Sequence, residues 1–589
     1  GLGANAVDSI TTGDYNVGLG DSSGTAITSG DRNTGIGVFS IDAINTGSSN
    51  TGLGYAAGGG ITTASNNTAV GSQALQLTTT GASNTAVGTL ALLSNTTGVN
   101  NTAVGYESLN ANTTAGYNVA VGYRAAYSNT TGTGNNAFGY QALQYNTTGE
   151  QNSSVGTNSL RYNTTGDSNT AVGRDALHTN TTADDNTAVG YYALRLNTTG
   201  ISNTAVGKGA LAANTTANYN SAFGENALLA NTTGTQNSGI GRYTLANNTT
   251  GSYNVAVGGD ALTQNTTASY NTSVGMFSLK TNTTGANNIA VGYEALKINT
   301  TGSYSTTVGM QSLQANTTGG YNAANGYQAL YSNTTANNNT ASGYRALFYN
   351  TTGAENTAMG GQALYTSTTG TQNTASGYQA LYYNTTGSYN LASGYRSLFA
   401  NTTGANNTAV GYYALYSNTT GDNNVSVGVG TLDANTTGAS NTGVGRGALS
   451  ANTTASNNTA VGLHSLLANT TGADGVAVGF EALKANTTGA NNVGIGYRAL
   501  NHNTTAGNNI AIGFEALTTN VTGTANVGVG FQALKTSTGS NNTAIGDQAM
   551  ELTTTGHSNA AVGKDALAAN TTGIRNTAVG MNSLDANTD

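Results

Sequence analysis

The sequence contains no cysteine, no proline and no tryptophan, and only 7% of its 589 residues are charged. Without cysteine, disulfides are excluded as staples. A metal site of the usual thiolate or clustered-histidine kind also lacks its ligands. Long disordered chains carry more charge and more proline than this. The net charge of −8 is spread thinly, with no basic stripe to meet a nucleic acid. No apolar run approaches the roughly 20 residues of a membrane span, and no signal peptide opens the chain.

What is present is glycine, 83 residues of it, and one text repeated along the chain. The text reads roughly G-x-x-A-L-x-x-N-T-T-G-x-x-N-T-A-V-G; clean copies span Gly190–Gly207 and Gly394–Gly411. A glycine returns every 17 residues from Gly3 to Gly530, steps once by 16 to Gly546, and resumes through Gly563 to Gly580. A short fixed period is the signature of a stacked solenoid. Helical hairpin repeats need about 33 residues or more, so 17 suits one coil of β-structure. The expectation is an all-β, parallel β-solenoid with one 17-residue coil per repeat. Residues 1–71 form divergent N-terminal coils, continuous with a regular shaft over 72–589. Neither end shows an atypical capping unit, which leads to the expectation of a segment of a longer protein.

Each coil is expected to hold two short strands and two turns. N-T-A-V supplies the first strand, as in Thr408, Ala409 and Val410. Alternation puts threonine and valine on one face and alanine on the other. The A-L segment, Ser397-Leu398 or Ala414-Leu415, supplies the second. The glycine after the valine permits a bend, and N-T-T-G makes the other turn, its glycine available for positive φ. Two columns are expected to fill the interior. One is leucine (Leu75, Leu109, Leu194, Leu296, Leu415, Leu517); the other is valine (Val87, Val104, Val206, Val291, Val410, Val529). The N-T-T asparagines, such as Asn197, Asn299 and Asn418, are expected to stack and bond along the axis. About thirty-four coils at about 4.8 Å predict a rod on the order of 160 Å. So thin a core, with small alanines on the other strand face, suggests a homotrimer that buries those alanines, although one chain can also enclose a coil alone.

The units Asn84–Gly88 and Asn542–Gly546 resemble the strand-plus-glycine repeat in the heads of trimeric autotransporter adhesins. The full N-T-A-V-G-Y-x-A-L-x-x-N-T-T-G text resembles repeats of phage tail-fibre and bacterial tail-fiber-domain proteins, over nearly the whole chain. The resemblance implies a left-handed β-roll, assembled as a homotrimer and used for surface attachment. Adhesin-head repeats are usually shorter than 17 residues, and no coiled-coil stalk, membrane anchor or self-cleaving chaperone region is seen here.

A search for chemistry returns little. His178, His464, His502 and His557 are scattered among coils. Gly18-Leu19-Gly20 and Gly52-Leu53-Gly54 belong to the repeat and lack the strand and helix of a phosphate loop. Calcium β-rolls carry aspartate in their turns, whereas these carry N-T-T-G. No catalytic residue, metal or cofactor is expected. Asn197, Asn299 and Asn418 also head N-glycosylation sequons, a use that competes with the inward ladder. Threonine ranks raise ice binding as a lower alternative. Five consecutive coils replace the valine column by Asn325, Ser342, Met359, Ser376 and Ser393, in a stretch rich in aromatics. Tyr344, Tyr378, Tyr382 and Tyr395 there are candidate glycan contacts; the competing reading is outer bulk that compensates for lost interior valine. The sequence thus leads to a non-enzymatic fibrous protein, extracellular, on a cell surface or on a virion. Its expected partners are copies of itself and a cell-surface glycan or receptor, and the alternative is a subunit of a self-assembling filament.

Overall fold

The computed structural model describes residues 3–588; the outermost residues Gly1, Leu2 and Asp589, on which the reading of open ends partly rests, lie outside them. The chain folds as two compact units, Gly1–Glu294 with Ile298–Thr301, and Ala295–Lys297 with Gly302–Asp589. The first holds strands β1 (Val17–Leu19) to β17 (Ile289–Val291), and the second holds β18 (Thr306–Val308) to β34 (Thr577–Val579). Every strand has three residues, and the described residues contain no helix. Within each unit, successive strands pair in parallel with a 17-residue offset, as Thr187↔Thr204, Ala188↔Ala205 and Val189↔Val206, except for one 16-residue offset between β31 (Val527–Val529) and β32 (Thr543–Ile545). Each unit is therefore a β-solenoid with one coil per repeat.

There is one strand per coil, not two. The A-L segment lies in a turn, and its leucine adopts the left-handed conformation, Leu194 at φ 48° and Leu415 at φ 53°. That conformation costs roughly 1–2 kcal/mol for a residue with a Cβ. Burying the leucine side chain completely offsets it by roughly 1.5–3 kcal/mol. The backbone adds bonds that alternate between neighbours: Tyr192 N–H donates back to Arg174 O at 3.2 Å, and Leu194 and Leu196 N–H donate forward to Ala210 and Ala212 O at 2.9 and 3.1 Å. Coil-to-coil bonding thus continues around the turns.

The strand faces are reversed from expectation. The leucine column is interior, but so is the alanine of T-A-V; Ala86, Ala205 and Ala409 are buried. Val87, Val104, Val206, Val291, Val410 and Val529 point outward and are only half-buried, as are the threonines beside them. The reason is room. Where the strand centre is glycine, at Gly528, an added methyl would already lie 3.3 Å from Leu517 Cδ1 and 3.2 Å from the Ala533 oxygen. The strand centre holds alanine in most coils, glycine or serine in several, and a larger side chain at Thr307, whose hydroxyl bonds Ser312. A valine in a coil built around alanine would therefore crowd the leucine. The expected packing of alanines between chains is overturned for the same reason, since those alanines are enclosed by their own coil.

The glycine after the valine is required twice over. Its φ lies between 118° and 144° along the column, and at Gly394 a Cβ would sit 2.4 Å from the Gly411 oxygen of the next coil. The N-T-T-G glycine, by contrast, does not take positive φ, and alanine replaces it at Ala115, Ala183, Ala217 and Ala455.

The first coils fill the asparagine slot differently. Ile27, Ile44 and Ile61 occupy it and pack with Ile41, Ala64, Val7 and Ile10. Room is made by glycine at strand centres: a Cβ on Gly35 or Gly52 would lie 2.7 Å from Ile41. Volume is conserved while the chemistry of the column changes. The single 16-residue step loses its residue in the same corner, at Ser537-Thr538-Gly539, while strand register is kept with Val527 opposite Thr543.

Candidate functional site

Asn197, Asn299 and Asn418 lie inside the coil, with no exposure. Asn197 Nδ2 donates to Asn180 Oδ1 at 3.0 Å and to Gly200 O at 2.9 Å, and its Oδ1 accepts from Asn214 at 2.8 Å. Asn299 donates to Asn282 at 2.7 Å and Asn418 to Asn401 at 2.8 Å. In the first unit this ladder is unbroken from Asn95 to Asn299. The sequon nitrogens are thus the donors that tie coil to coil.

A second ladder, which sequence reasoning missed, uses the asparagine before the strand. Asn84 Oδ1 accepts the Asn101 backbone N–H at 3.0 Å and Asn101 Nδ2 at 3.1 Å, while Asn101 Nδ2 also donates to Ala115 O at 2.9 Å. Its signal was available, because this asparagine recurs as regularly as the first. Two buried asparagine columns thus bond coil to coil, and the inner one leaves groups without partners where serine or threonine takes the slot, as at Ser367, Ser537 and Thr553.

The outer surface carries the aromatics. In the second unit Tyr331, Phe348, Tyr365, Tyr382, Phe399 and Tyr416 stack in successive coils with centroids 5.0–5.5 Å apart. Beside them runs a column one residue after the strand glycine, in which Tyr378, Tyr395 and Tyr412 stack at 5.7 and 5.3 Å. Tyr344 stacks on Tyr327 at 5.6 Å, and Gly361 separates that pair from Tyr378. Of the four tyrosines singled out by sequence, the structure therefore stacks Tyr378 on Tyr395, sets Tyr344 apart, and puts Tyr382 in the other column. Tyr344, Tyr378 and Tyr395 are 50%, 48% and 38% exposed, whereas Tyr382 is half-buried. Burial in the stack pushes the Tyr365 and Tyr382 hydroxyls above the ordinary tyrosine range.

Arginines bind the two columns together. Arg345 Cζ lies 5.2 Å from the Tyr344 ring and 5.3 Å from Phe348, and Arg396 lies 5.4 Å from Tyr395 and 5.1 Å from Phe399. Compensation for lost interior valine does not explain this zone. Asn325, Ser342, Met359, Ser376 and Ser393 stand on the outer strand face, so their change alters the surface beside the rings and leaves the core intact.

Open recesses interrupt these surfaces among the described residues. One of about 360 Å³ in the first unit is lined by Phe39, Asp42, Tyr55 and Gly59 among others; burial pushes the Asp42 carboxyl up. Another, of about 220 Å³ in the second unit, is lined by Tyr413, Tyr416 and Asp433. Among the described residues no three metal-ligating side chains cluster. His178 packs edge-on against Tyr162 at 5.0 Å, and His502 Nδ1 lies 3.0 Å from Thr518 O. No helix among the described residues is long and apolar enough to cross a membrane. Comparison with known proteins finds no matching family model and no curated protein of similar sequence.

Proposed function

We propose that this chain is a non-enzymatic structural protein, a stiff repeat element that holds or displays something at a distance, outside the cell or on a virion. The observation that carries the reading is the closure of each coil on its neighbours. Strand, turns and both asparagine columns bond along the stack, and the interior is occupied by leucine, alanine and asparagine. Chemistry is left to the outside, where weak equivalent contacts repeated along the stack sum to firm attachment. The likeness of the repeat text to tail-fibre and adhesin-head repeats supports the same reading, including a left-handed coil and a glycan or receptor as partner. A homotrimer, if formed, would use the outward threonine–valine face rather than the alanines.

Microscopy of the purified chain, with its mass measured in solution, tests the proposal. Discrete rods near the expected length support a fibre element, and three chains per particle support the trimer. Indefinite filaments favour the self-assembling subunit, and compact particles would refute both. The regular outward threonines, half-exposed in the strands and exposed at positions such as Thr199, keep ice binding as a further reading. Absence of thermal hysteresis would remove it.

A further inference from the structure

A recurrent device on the coil surface points to a binding site. The second residue after the strand glycine is arginine at Arg124, Arg345, Arg396 and Arg498. In each case the guanidinium lies against an aromatic ring of its own coil, at 5.2–5.5 Å from the ring one residue earlier in the chain. Its Nε donates to the side chain beneath it in the column: Glu107 at 2.6 Å, Gln328 at 2.9 Å, Gln379 at 2.8 Å and Glu481 at 2.9 Å. This place on the coil therefore accepts a guanidinium between rings and an acceptor.

At Gly430 the same column position carries no side chain. A Cβ there would meet nothing closer than Asp433 Oδ2 at 4.0 Å. Here the aromatic columns stop together, because Tyr412, Tyr413 and Tyr416 are followed one coil later by Val429, Gly430 and Asp433. The recess of about 220 Å³ opens at this step. Tyr413 and Tyr416 meet at 88° with centroids 4.9 Å apart, and Asp433 closes the recess. Asp433 Oδ1 accepts from Ser450 at 2.7 Å, and among the described residues no cation pairs with the carboxylate. Its volume is below the roughly 300–1,000 Å³ of drug-sized pockets, so it suits a single small group.

We propose that the Gly430 step, walled by Tyr413, Tyr416 and Asp433, binds the guanidinium group of an arginine side chain or a small guanidino compound. The planar cation would lie on a tyrosine face and pair with Asp433. The parts are those the chain's own arginines use, ring and acceptor, but differently placed, since Val429 precedes Gly430, Tyr413 lies beneath it and the acceptor Asp433 comes from the same coil. Arg396 contacts Tyr413 from the preceding coil, so binding rests on the carboxylate as much as on the rings. The proposal is independent of the fibre reading.

Titration of the full chain with N-acetyl-arginine-amide, followed by ligand-observed NMR and calorimetry, should show saturable binding in the millimolar range. Asp433→Asn should weaken it by about tenfold. Gly430→Arg should abolish it by filling the place from within. Gly430 already has φ 59°, close to the 51–53° of Arg345, Arg396 and Arg498, so this variant should fold and melt no lower than the parent. Agmatine and a glycine-flanked arginine peptide then separate the sources: tighter binding of the peptide assigns a protein-borne arginine, tighter binding of agmatine a free compound. No binding to the parent chain, or binding unchanged in either variant, overturns the proposal. So does binding of methyl glucoside in place of the arginine amide.

Discussion

Replacing Ser367 by asparagine should stabilise the second unit locally. In that unit the inner ladder runs Asn316, Asn333, Asn350 and then meets Ser367, before resuming at Asn384. The hydroxyl is too short to bridge. Asn350 Oδ1 and Ser367 Oγ are buried without a partner, and Asn384 Nδ2 keeps only its bond to Gly387 O at 2.9 Å. An asparagine at 367 would donate to Asn350 and to Gly370 O, and would accept from Asn384, as its counterparts do. A buried unsatisfied group costs about 1–3 kcal/mol. Two such groups are repaired, against about 1 kcal/mol of extra side-chain entropy, so a net gain of about 1–5 kcal/mol is expected. Repeat stability is a sum of local and nearest-neighbour terms. The gain should therefore appear as slower exchange of the amides flanking the repair, Thr351, Thr368 and Thr385, by about tenfold or more. The protein should be made in a bacterial host, because the change also completes an N-T-T sequon. The reverse change, Asn418→Ser, breaks bonds of 2.8 Å to Asn401 and 2.9 Å from Asn435 and should destabilise by a similar amount. Unchanged or faster exchange in Ser367→Asn would refute the claim that ladder bonds stabilise the stack.

Other outcomes follow from the same geometry. Gly394→Ala should cost more than about 3 kcal/mol, by strain at φ 138° and a Cβ placed 2.4 Å from the Gly411 oxygen. Gly421→Ala meets an equally close oxygen, Gly438 O at 2.4 Å, but has no positive φ, and other coils hold alanine there, as at Ala183 and Ala455, so it should cost clearly less than Gly394→Ala; paired denaturation curves check this. Val410→Thr should stay within about 0.5 kcal/mol because the side chain faces out, while Ala409→Val should cost about 1–3 kcal/mol or more by overpacking the leucine; equal effects would contradict the assigned faces. The Lys484 ammonium at 2.7 Å and the Arg498 guanidinium at 2.9 Å hold the Glu481 carboxyl below its ordinary range. Its folded pKa is depressed, so its small contribution is present above the unfolded value and is lost as pH falls through the folded one. Glu481→Gln should flatten that acid limb in a pH series of amide exchange.

Much of the coil was legible because the period aligns equivalent residues. The leucine column, the bend at the strand glycine and the inward N-T-T asparagine all followed from recurrence at one position. Which face of T-A-V turns inward did not. Alternation says that Thr408 and Val410 share a side, but the width of the coil decides which side is the core, and width is set by the turns. The second strand was misread because Ala414-Leu415 looks like a strand in composition, whereas the structure places Leu415 at φ 53°, a conformation that leucine rarely adopts. The aromatic stretch was found from composition. Its division into two columns, cross-linked by Arg345 and Arg396 and ending at Gly430, depended on which residues share a position after the strand glycine.

The 16-residue coil shows where the stack tolerates an error. One residue is lost from a corner, two buried hydroxyls at Ser537 and Thr553 go without partners, and the strand at Thr543 still pairs in register. A change of a whole coil is milder still, since each coil meets only neighbours much like itself. Recombination between near-identical repeats would therefore yield foldable chains that differ in steps of one coil, with no core to repair. Length in such a protein behaves as a heritable dial, set by copy number, and lineages can tune it without inventing a new residue.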